Sequence, residues 1–122
     1  MPVRSLNSSV FKWVSREEAL QAARQWAERV AQEHPEVLRV GCFGSAARGD
    51  WGVGSDLDLL VIVAHSDKPF LYRAADFDTA SLPVPADLLV YTQDEWAAME
   101  RSGRCGRLQA EVRWLYERGE ER

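Results

Sequence analysis

The sequence predicts an α/β (α+β) domain on three observations: an amphipathic stretch after Ser15, three short apolar runs, and helix-capping signals placed between strand-like and helical segments. At 122 residues the chain suits one domain spanning 1–122, with no room for a second, substrate-selecting unit. A composition of 46% hydrophobic and 28% charged residues, with five Trp, supplies a packed core. Flexibility is expected at 1–14 and fraying at 117–122.

The first helix begins at Ser15, whose hydroxyl caps it while Glu18 completes a capping box. Leu20, Ala23, Ala27 and Val30 then recur at helical spacing and form one apolar face. The helix should stop near His34, because Pro35 disfavours helical geometry before it and cannot donate to the ladder. Val37–Phe43 is short and apolar, a first strand. Gly44 to Gly54 holds four glycines among small and polar residues, a loop with room for one helical turn. Leu57–Val63 is almost continuously apolar, so it reads as a strand buried on both faces except at Asp58. Between Ser66 and Pro85 the signals are weakest: a short helix around Phe70 to Ala75, then a proline-punctuated turn. Ala86 to Tyr91 gives a third strand. Thr92 and Glu95 form a second capping box that opens a helix through about Arg101, ended by Ser102 and Gly103. Arg104 to Tyr116 fits either one helix or a short helix followed by a strand at Val112 to Tyr116, and periodicity does not separate the two.

A formal net charge of −4 argues against wrapping nucleic acid through phosphate neutralisation, which needs a basic surface. It leaves nucleotide ligands open, since a divalent cation can join acidic side chains to phosphate. The two cysteines, Cys42 and Cys105, lack zinc-ligand spacing and read as reduced thiols. No apolar stretch approaches the length of a membrane span, and Met1 to Asn7 lacks a signal-like apolar core. The expected location is the cytoplasm.

The chemistry concentrates in Phe43 to Val63, FGSAARGDWGVGSDLDLLVIV. Residues i and i+2 of a strand point to one face, so Asp56 and Asp58 project together with Cα atoms roughly 6.5 to 7 Å apart. Their mutual repulsion calls for a cation, and Mg²⁺ suits oxygen ligands supplied by one or two carboxylates plus substrate phosphates. Gly44 and Ser45 follow a strand directly, where backbone N–H groups and a hydroxyl can meet phosphate oxygens and glycine permits close approach. Ser45 could also cap a short helix over Ala46 and Ala47. Asp87 interrupts the third apolar run, and it would face the same cluster if the two strands are neighbours. Asp-x-Asp alone is often a solvated turn; Gly-Ser upstream, the strand contexts and Asp87 together make the pattern specific.

These residues resemble the nucleotidyltransferase signature of the DNA polymerase β superfamily: Gly-Ser, ten residues, Asp-x-Asp. Here it runs Gly44-Ser45, Ala46 to Ser55, Asp56-Leu57-Asp58. The extended form is similar to the minimal nucleotidyltransferases of bacteria and archaea through Ala47, Arg48, Gly49, Ser55 and Leu59, and Ala86-Asp87-Leu88-Leu89 approximates the context of the third family carboxylate. The resemblance implies a polymerase-β-type nucleotidyltransferase fold with a mixed sheet of about three to five strands flanked by helices. It also implies attack by an acceptor hydroxyl on the α-phosphate of an NTP, ATP being the family's usual donor. Asp56, Asp58 and Asp87 would be catalytic and hold two Mg²⁺ (or Mn²⁺), while Gly44, Ser45, Arg48 and Ser55 would bind the nucleotide. The partner it implies is a HEPN-domain toxin, modified by AMP on a tyrosine, with this chain as antitoxin. Two rival readings are a non-catalytic antitoxin that masks its partner by contact and an enzyme acting on a small hydroxylated molecule.

Other residues read more plainly. Arg48 could equally brace the loop through Asp50 or Asp56. His34 and His65 sit at element ends without acid–base partners. Arg101, Arg104, Arg107 and Arg113 read as a solvated face before a basic patch. Trp13, Trp26, Trp96 and Trp114 are core candidates, and Trp51, in the glycine loop, is the one expected to be exposed near nucleotide or partner.

Overall fold

The computed structural model describes residues 14–104 and 106–119. The sequence expectations for Trp13, Cys105, residues 1–13 and residues 120–122 lie outside them. The described chain runs α1 (Arg16–Glu33), β1 (Val37–Phe43), α2 (Gly44–Arg48), β2 (Leu57–Val63), α3 (Phe70–Arg73) with a 3₁₀ turn (Ala74–Asp76), β3 (Ala86–Thr92), α4 (Gln93–Ser102), α5 (Gly106–Glu111) and β4 (Arg113–Glu117). The ambiguous Arg104–Tyr116 stretch is therefore a short helix followed by a strand.

Both capping boxes form. Ser15 accepts from the Glu18 N–H while Glu18 accepts from the Ser15 N–H, and Thr92 and Glu95 do the same at α4. Gly103 closes α4 in the left-handed conformation that glycine adopts without a Cβ penalty.

The four strands form one mixed sheet in the order β3-β2-β1-β4. β1 is antiparallel to β2 and to β4, and β2 is parallel to β3. Along β2 the side chains alternate. Leu57, Leu59, Val61 and Val63 join the Ala19, Ala23, Trp26, Ala27 and Val30 face of α1 in the main core, whereas Leu60 and Ile62 pack with Trp96 of α4 on the opposite face. A register shift between Val37 and Arg39 resets the alternation of β1, which lets Val37, Val40 and Cys42 all face α1. Gly41 has no room for a side chain: a Cβ would meet Val112 Cγ2 at 2.7 Å and Trp114 Cε3 at 2.9 Å. β4 thus lies close over β1.

The parallel β2–β3 pair needs a crossover, and polar contacts fasten it. Arg73, only 7% exposed, donates to Lys68 O, to Val90 O and to both carboxylate oxygens of Glu95. Trp26 Nε1 donates to Asp78 O at 2.8 Å. At the other end, the expectation of fraying from 117 onward does not hold for residues 117 and 118: Glu117 pairs with Arg39, and Arg118 donates to Val37 O and Ala31 O. Its guanidinium is an anchor that a sequence pattern cannot display. Among the described residues no helix is long and apolar enough to cross a membrane.

Candidate active site

The site lies where β1 ends and β2 and β3 begin. Asp58 and Asp87 are direct lateral partners in the parallel β2–β3 ladder. Side chains at paired positions of neighbouring strands share a face, and the strands lie about 4.8 Å apart, so the condition set for Asp87 is met. The Leu57 N–H donates to Pro85 O at 2.9 Å, which fixes this register at its first step. Asp56 stands just before β2, separated from Asp58 by Leu57, which is fully buried in the α1-side core. Asp56 is exposed and Asp58 half-buried. Phe43 pairs with Asp58 across the antiparallel β1–β2 ladder, and the chain turns at once into Gly44 and α2.

Gly44 is dictated by two features. Its φ is +71°, and a Cβ there would collide with Asp58 Oδ2. The backbone of the Gly-Ser turn is consequently in direct proximity to the central carboxylate. Ser45 does not cap the helix as expected: α2 already starts at Gly44, Phe43 holds the cap position without a side-chain bond, and Ser45 lies inside the first turn. Ser55 closes the glycine loop, its hydroxyl accepting from the Gly52 N–H and its N–H donating to Gly52 O, both at 3.0 Å.

Burial, then the charges of Asp87 and Asp56, push the Asp58 carboxyl above its ordinary range. Among the described residues no hydrogen-bond donor serves the side-chain carboxylates of Asp56, Asp58 or Asp87. Nor do any three His, Cys, Asp or Glu side chains among them already stand close enough to enclose a metal ion. An oxygen-only set of carboxylates, offset only in part by the charge of Arg48 and set beside a glycine turn, fits a divalent cation that takes its remaining ligands from water and substrate phosphate.

One participant was missed in the sequence. Glu111, the last residue of α5, accepts from the Gly44 N–H at 2.9 Å and from Arg48 Nη1 at 3.2 Å. The Gly44 N–H, and after it Arg48, hold its carboxyl below the usual range. No local signal could have found it, since the contact joins residues 67 apart in the chain. Arg48 reaches Asp50 as well, at 3.2 Å, so it braces the loop through Asp50 and Glu111 and not through Asp56. Trp51 departs from expectation: it is half-buried against the main core and donates from Nε1 to Val14 O. Arg101, Arg104, Arg107 and Arg113 are exposed.

Comparison with known proteins bears on this geometry. Residues 23–115 match the family model described as nucleotidyltransferase domain. A crystal structure of a Sulfolobus solfataricus protein classed as a nucleotidyltransferase is similar with a TM-score of 0.63 at 22% identity, over 95% of this chain and 90% of that one. A toxin–antitoxin structure with AMP-PNP is similar with a TM-score of 0.51 at 15% identity, over 80% of this chain and 76% of that one. At these identities the two structures speak to the fold. No curated protein matches by sequence.

Proposed function

The chain belongs to the nucleotidyltransferase domain family, and from that premise we propose that it moves a nucleoside monophosphate, AMP by resemblance, from an NTP to a hydroxyl on a partner protein. The observation that carries the reading is the lateral pairing of Asp58 with Asp87 in a sheet whose neighbouring strand β1 runs directly into Gly44-Ser45. Asp56, Asp58 and Asp87 would hold Mg²⁺ or Mn²⁺, which when bound neutralises charge on the entering and leaving oxygens. Gly44 and Ser45 would seat the β- and γ-phosphates, and by resemblance Arg48 and Ser55 would also bind the nucleotide. The Asp87 carboxylate would orient the acceptor hydroxyl and take its proton as the oxygen bonds to the α-phosphorus. The bond from the α-phosphorus to the bridging oxygen breaks, and pyrophosphate leaves.

The toxin–antitoxin neighbour favours a partner protein, a toxin, as the acceptor. By resemblance it is a HEPN-type ribonuclease modified on a tyrosine, and this chain its antitoxin in the cytoplasm. The purified chain, mixed with the protein encoded beside it, Mg²⁺ and each NTP in turn, should raise the partner's mass by one nucleoside monophosphate. Tight complex formation with no mass change, unaltered in Asp56→Asn and Asp58→Asn, would replace this reading with masking by contact alone.

A further inference from the structure

Glu111 occupies the backbone donor that the proposed function assigns to phosphate. One of its oxygens accepts from the Gly44 N–H at 2.9 Å, the other from Arg48 at 3.2 Å, and Arg107 Nε lies 3.9 Å from the latter oxygen. A carboxylate held by one backbone N–H and flanked by two guanidiniums is held as a phosphate oxygen pair would be. The same carboxylate adds to the negative field on Asp58. A triphosphate cannot use the Gly44 N–H while Glu111 holds it.

The segment carrying Glu111 is anchored by Leu108 and Val112, which pack against the cluster of Leu60, Ile62 and Trp96, while its polar side is less well satisfied. None of the α5 residues is buried, and Gln109 Nε2 is shut from solvent without a hydrogen-bond partner, which disfavours the docked position. Gly106, at the start of α5, has open space around it.

Resting on the nucleotidyltransferase reading, we propose that Glu111 is an internal occupant of the phosphate seat, which an incoming NTP must expel, so that nucleotide binding releases the end of α5 from Gly44 and Arg48. The apparent affinity for nucleotide is then the intrinsic affinity reduced by the fraction of molecules in which Glu111 has left. A docked population of about nine in ten lowers affinity roughly tenfold.

The test is calorimetric titration of the wild-type chain, Glu111→Ala, Glu111→Gln and Asp58→Asn with each NTP and Mg²⁺, joined to amide hydrogen exchange of the wild type with and without the NTP that binds. Glu111→Ala should bind about tenfold tighter than wild type, with Glu111→Gln between them because the amide keeps an acceptor for Gly44 but loses the charge facing Arg48. In the wild type, exchange across 106–112 should quicken when nucleotide is added, a readout that needs no variant. Equal or weaker binding by Glu111→Ala, with slower or unchanged exchange at 106–112, makes Glu111 a brace for the Gly44 turn and overturns the proposal while the nucleotidyltransferase reading stands. Absence of binding by every folded variant with every NTP removes that reading, and the proposal with it.

Discussion

At Asp58 the chain places a carboxylate where burial and the like charges of Asp87, Asp56 and Glu111 together outweigh Arg48 and disfavour ionisation, so the site carries a cost until a cation arrives. The folded-state pKa lies above the unfolded one; the folded protein therefore binds the proton more tightly, and the unfavourable contribution grows as pH rises through that interval. Asp58→Asn should melt higher than wild type at neutral pH without metal, and the difference should shrink on acidification toward the ordinary aspartate range. Adding Mg²⁺ should raise the melting point of the wild type more than that of the variant, and a wild type that melts no lower than Asp58→Asn without metal would contradict the account. Gly44 makes a second residue-level claim by contrast with Gly49. Both have positive φ, but a Cβ at Gly49 meets open space while one at Gly44 meets Asp58. Gly49→Ala should cost about 1 kcal/mol by denaturant unfolding, and Gly44→Ala clearly more, about 2 kcal/mol or above, with loss of nucleotide binding. Equal costs would show that the Asp58 contact does not constrain the turn.

At the scale of elements, legibility in the sequence follows how local the cause is. Both capping boxes, the Pro35 stop and the Gly103 terminus rest on residues within a few positions of each other, and each appears where the pattern puts it. The pairing of Asp58 with Asp87 depends on a crossover of more than twenty residues, which no periodicity encodes, so the sequence could state it only conditionally. Glu111 was not legible at all, because its place is fixed by how α5 and β4 fold back across β1. The crossover itself depends on Arg73, buried against Glu95 and two carbonyls. Arg73 holds the Glu95 carboxyl below its ordinary range, with further help from the Thr92 N–H. Glu95→Ala removes the ion pair and half of the α4 capping box. Since Glu95 is itself partly exposed, screening limits the loss to about 2 kcal/mol. A depressed folded pKa means this contribution is present above the ordinary glutamate range and fades as pH falls through the folded value. Urea unfolding of both proteins at pH 7 and near pH 3 should show the gap narrowing, and a constant gap would deny the ion pair its part.

Across the whole molecule, one sheet keeps structure and chemistry apart. The face toward α1 is apolar along β2 and holds the main core, while the other face carries Leu60 and Ile62 under Trp96 and, at its open end, Asp58 and Asp87. The near-continuous apolar run Leu57–Val63 made a strand buried on both faces apart from Asp58 legible in the sequence, whereas which face meets α1 and where Asp87 stands needed the observed strand order. The same topology brings Gly44-Ser45 beside Asp58, because β1 and β2 are antiparallel neighbours and the first ends where the second begins. The nucleoside monophosphate transfer proposed for this corner separates the α-phosphate, which goes to the acceptor, from the γ-phosphate, which leaves. It is tested most directly by supplying NTPs labelled on the α- or the γ-phosphate, with Mg²⁺ and the neighbouring-gene protein, to the wild type and to Asp58→Asn. The α-label should appear on the partner and the γ-label in released pyrophosphate, with transfer falling about a thousandfold or more in the variant. Label carried from the γ-position, no label on the partner with any NTP, or equal transfer by Asp58→Asn would contradict it.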